Sequence, residues 1–167
     1  MSLSYRVGHG FDVHRFRRGR KFILGGIRIP HGFGLVGHSD ADVLIHALMN
    51  ALLGAIGKGD IGSHFPDTDR RTKGISSEKL LARVWRMVNQ EGYSLMNGDI
   101  TLLAQRPRLA PFFPLIKKNL SRLLKVPESQ LNLKAVTMEG LGWVGEGRGM
   151  AATAVVLLWK KPRRQAK

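Results

Sequence analysis

The segment Gly8-His9-Gly10-Phe11-Asp12-Val13-His14 places a carboxylate and an imidazole two residues apart. On an extended strand, residues i and i+2 point to the same side, so Asp12 and His14 project together. A third ligand is available in His46, in the first half of a helix predicted to begin near Asp40. An Asp, His, His set leaves a tetrahedral ion one open position, the pattern of a catalytic rather than a structural zinc site. The competing reading is a chance D-x-H on a strand and an ordinary hydrogen-bonded helical histidine, and spacing alone leaves both open. The chain has no cysteine, which excludes a disulfide scaffold, a Cys-type zinc finger and a thiol nucleophile. Any metal is therefore held by His, Asp, Glu or backbone oxygen, ligands that suit zinc, manganese or magnesium.

Three further clusters carry chemistry. His38-Ser39-Asp40-Ala41-Asp42 sits at the predicted helix start, where free N–H groups and the positive end of the helix dipole attract an anion. His38 and Ser39 add side-chain donors there; simple capping by Ser39 or Asp40 is the alternative. Gly59-Asp60-Ile61-Gly62, followed by Phe65-Pro66-Asp67-Thr68-Asp69, offers acidic groups in a glycine-rich loop, fit for sugar-like hydroxyls or a hard cation, or for nothing beyond a solvated turn. Lys134-Ala135-Val136-Thr137-Met138-Glu139, then Gly140-Leu141-Gly142-Trp143, ends a strand in a Thr and a Glu. Glu139 can hold magnesium against phosphates and Thr137 can hydrogen-bond one.

The elements that must position these groups follow from periodicity. Tyr5 to Phe16 reads as a strand, and Phe22 to Leu24 with Ile27 to Ile29 as a hairpin about Gly25-Gly26. Asp40 to Ile56 is a predicted helix ended by Gly57, with Leu44, Leu48, Ala51, Leu52 and Ala55 on one side. Gly57 to Gly74 is a long polar loop, a class that is often functional. Ser76 to Glu91 and Pro111 to Leu124 are further helices; Tyr93 to Gln105, Leu131 to Met138 and Met150 to Trp159 are strands. The last is nearly all apolar, as a buried central strand should be. Without strict βα alternation, the order favours a single-domain α+β fold, a mixed β-sheet with helices packed on one face.

The chain has 167 residues, enough for one domain with a real core. The net charge of +15 comes from 27 Lys and Arg against 12 Asp and Glu. It is concentrated in Arg15, Arg17, Arg18, Arg20 and Lys21, and in Lys160, Lys161, Arg163, Arg164 and Lys167. A basic nucleic-acid-binding protein is the competing class. It explains neither the Asp-His-His set nor the acidic loop, whereas an anionic substrate gains equally from the field. No run of about 18 apolar residues marks a membrane span, and the first residues lack the features of a signal peptide. A soluble cytoplasmic protein is the expectation.

Taken in order, GHGFDVH, GHSDADVLIHAL, GDIGSHFPDTD, LLAQRPRL and VTMEGLGWVGEGRG resemble the 2-C-methyl-D-erythritol 2,4-cyclodiphosphate synthase family. The likeness runs from Tyr5 to Lys160, so residues 1–160 form the expected synthase domain and residues 161–167 a basic tail outside it. The resemblance implies an enzyme of non-mevalonate isoprenoid biosynthesis. It converts 4-diphosphocytidyl-2-C-methyl-D-erythritol 2-phosphate to the cyclic diphosphate and CMP. It also implies a homotrimer with sheets facing inward and active sites between subunits. Asp12, His14 and His46 then match zinc ligands, and Glu139 the ligand of a second ion, Mg2+ or Mn2+, between the CDP phosphates. His38 and Thr137 match transition-state stabilisers, and Ser39 a phosphate contact. Asp60, Ile61 and Gly62 match contacts to the methylerythritol, and Phe65, Asp67 and Asp69 belong to the matching mobile loop. Ala104, Arg108, Leu109, Ala110, Ala135 and Val136 match a cytidine pocket reached from the adjacent subunit, and Trp143 a further substrate contact. Some members are fused to a cytidylyltransferase; a single domain favours the monofunctional form.

Three positions depart from the family pattern. Val136 replaces a Thr. Asn50 stands where many members carry Asp. Glu146 and Arg148 reverse the usual Arg and Glu order, which puts an axial isoprenoid diphosphate ligand in doubt.

Overall fold

The structure, a computed structural model, describes residues 4–69 and 74–160. The basic tail at 161–167 and Arg70 to Lys73 of the long loop lie outside the described residues. Among the described residues, seven strands and five α-helices make one α+β domain. They run β1 (Tyr5–Arg18), β2 (Phe22–Leu24), β3 (Ile27–Ile29), β4 (Phe33–Leu35), α1 (Val43–Ala55), α2 (Ile61–His64), α3 (Ser77–Gln90), β5 (Tyr93–Leu103), α4 (Phe113–Leu124), β6 (Leu131–Val136), α5 (Gly142–Gly145) and β7 (Gly149–Lys160). The main sheet has the order β4-β1-β7-β5-β6. It is mixed, because β5 and β6 run parallel and all other pairs antiparallel. The apolar β7 is its central strand, as its sequence predicts.

The hairpin of β2 and β3 forms about Gly25 and Gly26, both at positive φ, the conformation a two-residue turn requires. Helix α1 lies across β1 and β7 and is covered in turn by α3. It is consequently buried on nearly every side, rather than on the one side that periodicity suggests. A helix between two layers has no solvent face to keep polar.

Alternation along β1 points Gly8, Gly10, Asp12 and His14 toward α1 and Tyr5, Val7, Phe11 and Val13 away from it. The glycines let the two elements touch. A Cβ on Gly8 would stand 1.9 Å from Ala51 O, and one on Gly10 would stand 2.0 Å from Ala47 O. That approach is what carries His46 down onto Asp12 and His14.

The start of α1 differs from expectation. Asp42, not Ser39 or Asp40, is the cap, its carboxylate accepting Ile45 N–H at 3.1 Å. Ala41 takes φ +58° and turns the chain immediately before it. The same carboxylate accepts Gly25 N–H at 3.0 Å and Gly26 N–H at 2.7 Å, joining the hairpin to the helix. Asp42 is fully buried. The cap is therefore supplied by a buried carboxylate that also fixes the hairpin to the helix start.

Candidate metal centre and active-site cleft

Asp12 and His14 project to one side of β1, as strand parity requires, and His46 meets them there. Asp12 Oδ2 lies 3.0 Å from His14 Nε2 and 2.9 Å from His46 Nδ1, and the two nitrogens are 3.1 Å apart. Tetrahedral zinc with ligands at 2.0–2.1 Å sets its donors about 3.3 Å apart. The set accepts such an ion with an opening of a few tenths of an ångström. Among the described residues it is the one His/Asp/Glu group with the atoms to hold a metal.

Each imidazole is oriented by its other nitrogen. His14 Nδ1–H donates to Val36 O at 2.9 Å, leaving Nε2 for a metal. His46 Nε2 faces Ser77 Oγ at 3.0 Å and Ser39 Oγ at 3.1 Å, leaving Nδ1 toward Asp12. Burial opposes ionisation of Asp12, but hydrogen bonds and charge from His14 and His46 outweigh it and hold its carboxyl down at about 2. Burial likewise disfavours the His14 cation, and the hydrogen bond and charge of Asp12 outweigh it, so its pKa is raised.

The cleft above these ligands encloses about 590 Å³. His38, Ser39, Ile61, Gly62, Phe65 and Asp67 line it beside the metal ligands, so the first three motifs meet in one place. His38 Nε2–H donates to Asp69 O at 3.1 Å, tying the 65–69 segment to the cleft wall. Asp60 is turned elsewhere: its carboxylate caps α2, accepting Ser63 N–H and Oγ–H, both at 2.8 Å. Those bonds hold its pKa low.

Asn50 occupies its position with both ends engaged. Its amide donates to Phe11 O at 3.2 Å, and its carbonyl accepts Ile61 N–H at 3.0 Å. It joins the strand carrying Asp12 to the segment carrying Ile61 and Gly62.

The fourth motif lies apart from this cleft. β6 is three strand spacings from β1, about 14 Å. Thr137 and Glu139 follow its end, exposed, with Thr137 Oγ1–H donating to Glu139 Oε1. Ala104 N–H bonds Val136 O at 3.0 Å, which sets the 104–110 and 135–137 segments side by side. Arg108, Ala110, Ala135, Val136 and Trp143 are exposed there. Ala104 and Leu109 are buried in the core. Glu146 and Arg148 pair with each other within the chain at 2.8 Å.

Sequence reasoning missed Val36 and Ser77. Val36 acts through its carbonyl, which no side-chain pattern signals. Ser77 was visible only as a helix opener; its approach to His46 is tertiary.

The fold and cleft define a small α+β enzyme whose two imidazoles and one carboxylate are arranged to take a metal ion. The chain belongs to the YgbB family, whose model matches residues 5–159. The 2-C-methyl-D-erythritol 2,4-cyclodiphosphate synthase of Geobacillus thermodenitrificans (strain NG80-2) is 56% identical over 156 residues, 93% of this chain and 98% of that protein. A solved 2C-methyl-D-erythritol-2,4-cyclodiphosphate synthase in a CDP-bound form superposes with TM-score 0.85 at 42% identity, covering 92% of this chain and 99% of that one. The bifunctional IspDF from Campylobacter jejuni superposes with TM-score 0.92 at 41% identity. That match covers 96% of this chain, which spans 43% of the bifunctional protein.

Proposed function

We propose that the protein converts 4-diphosphocytidyl-2-C-methyl-D-erythritol 2-phosphate to 2-C-methyl-D-erythritol 2,4-cyclodiphosphate and CMP. The observation that carries this reading is the meeting of Asp12, His14 and His46 with His38, Ser39 and the Ile61–Gly62 backbone in one cleft. The family relationship supplies the reaction.

The 2-phosphate of the substrate attacks the β-phosphorus of its own CDP group, and CMP leaves in line. The nucleophile is already an anion, so the protein need not abstract a proton. What it must do is hold two anions together, and pre-positioning of this kind can remove about 7–11 kcal/mol from a barrier. His38 and Ser39 present donors on the cleft wall for phosphate oxygens. Ile61, Gly62 and Phe65 enclose the methylerythritol carbons and exclude water. Asp12, His14 and His46 would hold zinc, and Glu139 would hold Mg2+ or Mn2+. When bound, these ions supply Lewis-acid polarisation and charge neutralisation at the phosphates. Thr137, exposed beside Glu139, supplies a hydroxyl to the same phosphates.

The working form is a homotrimer. One sheet face carries Tyr5, Val7, Phe11, Val13 and Val155 without a covering layer, Val7 being 69% exposed. An apolar face of that extent marks an interface. A neighbouring copy can then bring its cytidine-binding segments, Thr137 and Glu139 to the metal centre, from which they are separated within one chain. No helix among the described residues is long and apolar enough to cross a membrane, and a cytoplasmic enzyme is the simplest setting for this substrate. Purified protein with zinc and magnesium should release CMP from the CDP-linked substrate; intact substrate after incubation with a folded trimer would refute the assignment.

A further inference from the structure

The cations that follow His14 in the sequence have no counter-charge in the fold and no use in the roles above. β1 outruns the main sheet. Its ladder with β7 ends at Arg15, paired with Gly149, and Phe16 to Arg18 continue against β4 alone. The turn Gly19-Arg20-Lys21 then leads into β2, and Arg28 stands in β3. Arg15, Arg17, Arg18, Arg20, Lys21 and Arg28 are all exposed. Among the described residues none of the six pairs with a carboxylate, although Lys58, Arg122, Lys134 and Arg148 each do. Gly19 to Phe22 and Arg28 to Gly32 wall a cavity of about 230 Å³ with no carboxylate in its lining.

Aromatic rings stand beside these cations. Phe33 pairs with Arg18 across the ribbon and is 45% exposed. The exposed His31 ring lies 5.9 Å from it, held by a bond from Nδ1–H to Phe33 O at 3.0 Å. Both rings wall a second cavity, of about 450 Å³. Its one carboxylate, Glu146, is taken by Arg148 at 2.8 Å. Neither cavity shares a lining residue with the metal cleft.

Guanidinium groups without a counter-charge attract phosphate, which their planar fork grips through two hydrogen bonds. Lipid headgroups or a duplex would satisfy the cations but present no ring face to Phe33 and His31. A single strand presents both, phosphates along its backbone and bases that stack on aromatic side chains. We propose that the β1–β4 ribbon and the turn after it form a second binding surface, for single-stranded nucleic acid. Arg18, Arg20, Lys21 and Arg28 hold phosphates there, and Phe33 and His31 stack bases. The other basic cluster of the sequence is not part of this surface. It begins at Lys160, eleven residues along β7 from the Gly149 that pairs with Arg15, about 35 Å away.

Fluorescence anisotropy with labelled oligo-uridylate and oligo-deoxythymidylate tests the surface, and the ratio of the two affinities assigns it to RNA or DNA. Log affinity of the wild type is expected to fall linearly with log salt, each phosphate contact adding about 0.7 to the slope. The triple variant Arg18→Gln/Arg20→Gln/Lys21→Gln should therefore lose about 2 from the slope and on the order of 100-fold in affinity at about 50 mM salt. Phe33→Ala should weaken binding about 5- to 150-fold and leave the slope unchanged. Both variants should keep wild-type melting and CMP release, which excludes misfolding, and the same losses are expected in a chain cut after Lys160. No binding by the wild type, wild-type affinity in the triple variant, or binding that disappears with residues 161–167 overturns the proposal. So does a duplex or an anionic vesicle bound as tightly as the single strand, or wild-type affinity in Phe33→Ala.

Discussion

The contact between Gly10 and α1 makes a testable link between fold and chemistry. In Gly10→Ala the new Cβ would stand 2.0 Å from Ala47 O, a backbone atom that cannot swing aside. Reaching even 3.0 Å requires about 1 Å of separation between β1 and α1. Ala47 is next to His46, whereas Asp12 and His14 ride on the strand, so the displacement opens the ligand triangle. Metal sites tolerate about 0.2 Å in ligand distance. The overpacking itself should cost about 1–3 kcal/mol. Zinc affinity should fall by more than the 10–100-fold that accompanies loss of a supporting partner. Gly54→Ala is the matched control. Its Cβ would meet nothing nearer than His9 O at 3.8 Å, and Ala in a helix interior should add about 0.5–1 kcal/mol of stability. Chelator competition and thermal melting of both variants decide the matter. Wild-type zinc affinity in Gly10→Ala would refute the reasoning.

Asn50→Asp keeps the bond from Ile61 N–H but cannot donate to Phe11 O, and should cost about 1 kcal/mol while raising KM and leaving zinc stoichiometry unchanged; altered zinc content would contradict the role given to Asn50. In the metal-free chain the raised His14 pKa contributes stability that is present below 6.5 and lost as pH rises through the shifted value. Asp12, lowered to about 2, contributes stability present above 3.8 and lost as pH falls through that lower value. Chelated protein should therefore lose Tm above pH 6.5, while the Tm increment from added zinc grows over the same range as zinc ceases to compete with the His14 proton; a zinc increment independent of pH would contradict this. Val155→Glu, on the uncovered sheet face, should sediment as a monomer that still binds zinc but releases no CMP; an active monomer would refute the shared site.

How much of this was legible in the sequence depends on how local each cause is. The β2–β3 hairpin was, because Gly25-Gly26 is a turn signal in itself. The strand parity of Asp12 and His14 was too, and so was the central place of β7. The elements left unassigned, β4, α2 and α5, have three or four residues and no period to detect. The cap of α1 was misplaced because it depends on Ala41 at positive φ, a conformation alanine gives no notice of. Asp42 also serves two hairpin N–H groups that lie 16 and 17 residues away. Asp12 and His14 could be paired from spacing, but Ser77 reaches His46 only through the packing of α3 on α1. The division of the site between the cleft and the β6 edge is a matter of strand order, which pattern alone does not settle.

The most direct test is a crystal of the protein grown with zinc, measured on both sides of the zinc absorption edge. One anomalous peak within bonding distance of Asp12 Oδ2, His14 Nε2 and His46 Nδ1 is the expected result. Zinc bound elsewhere, with these three side chains still hydrogen-bonded to one another, would contradict the assignment of the metal centre.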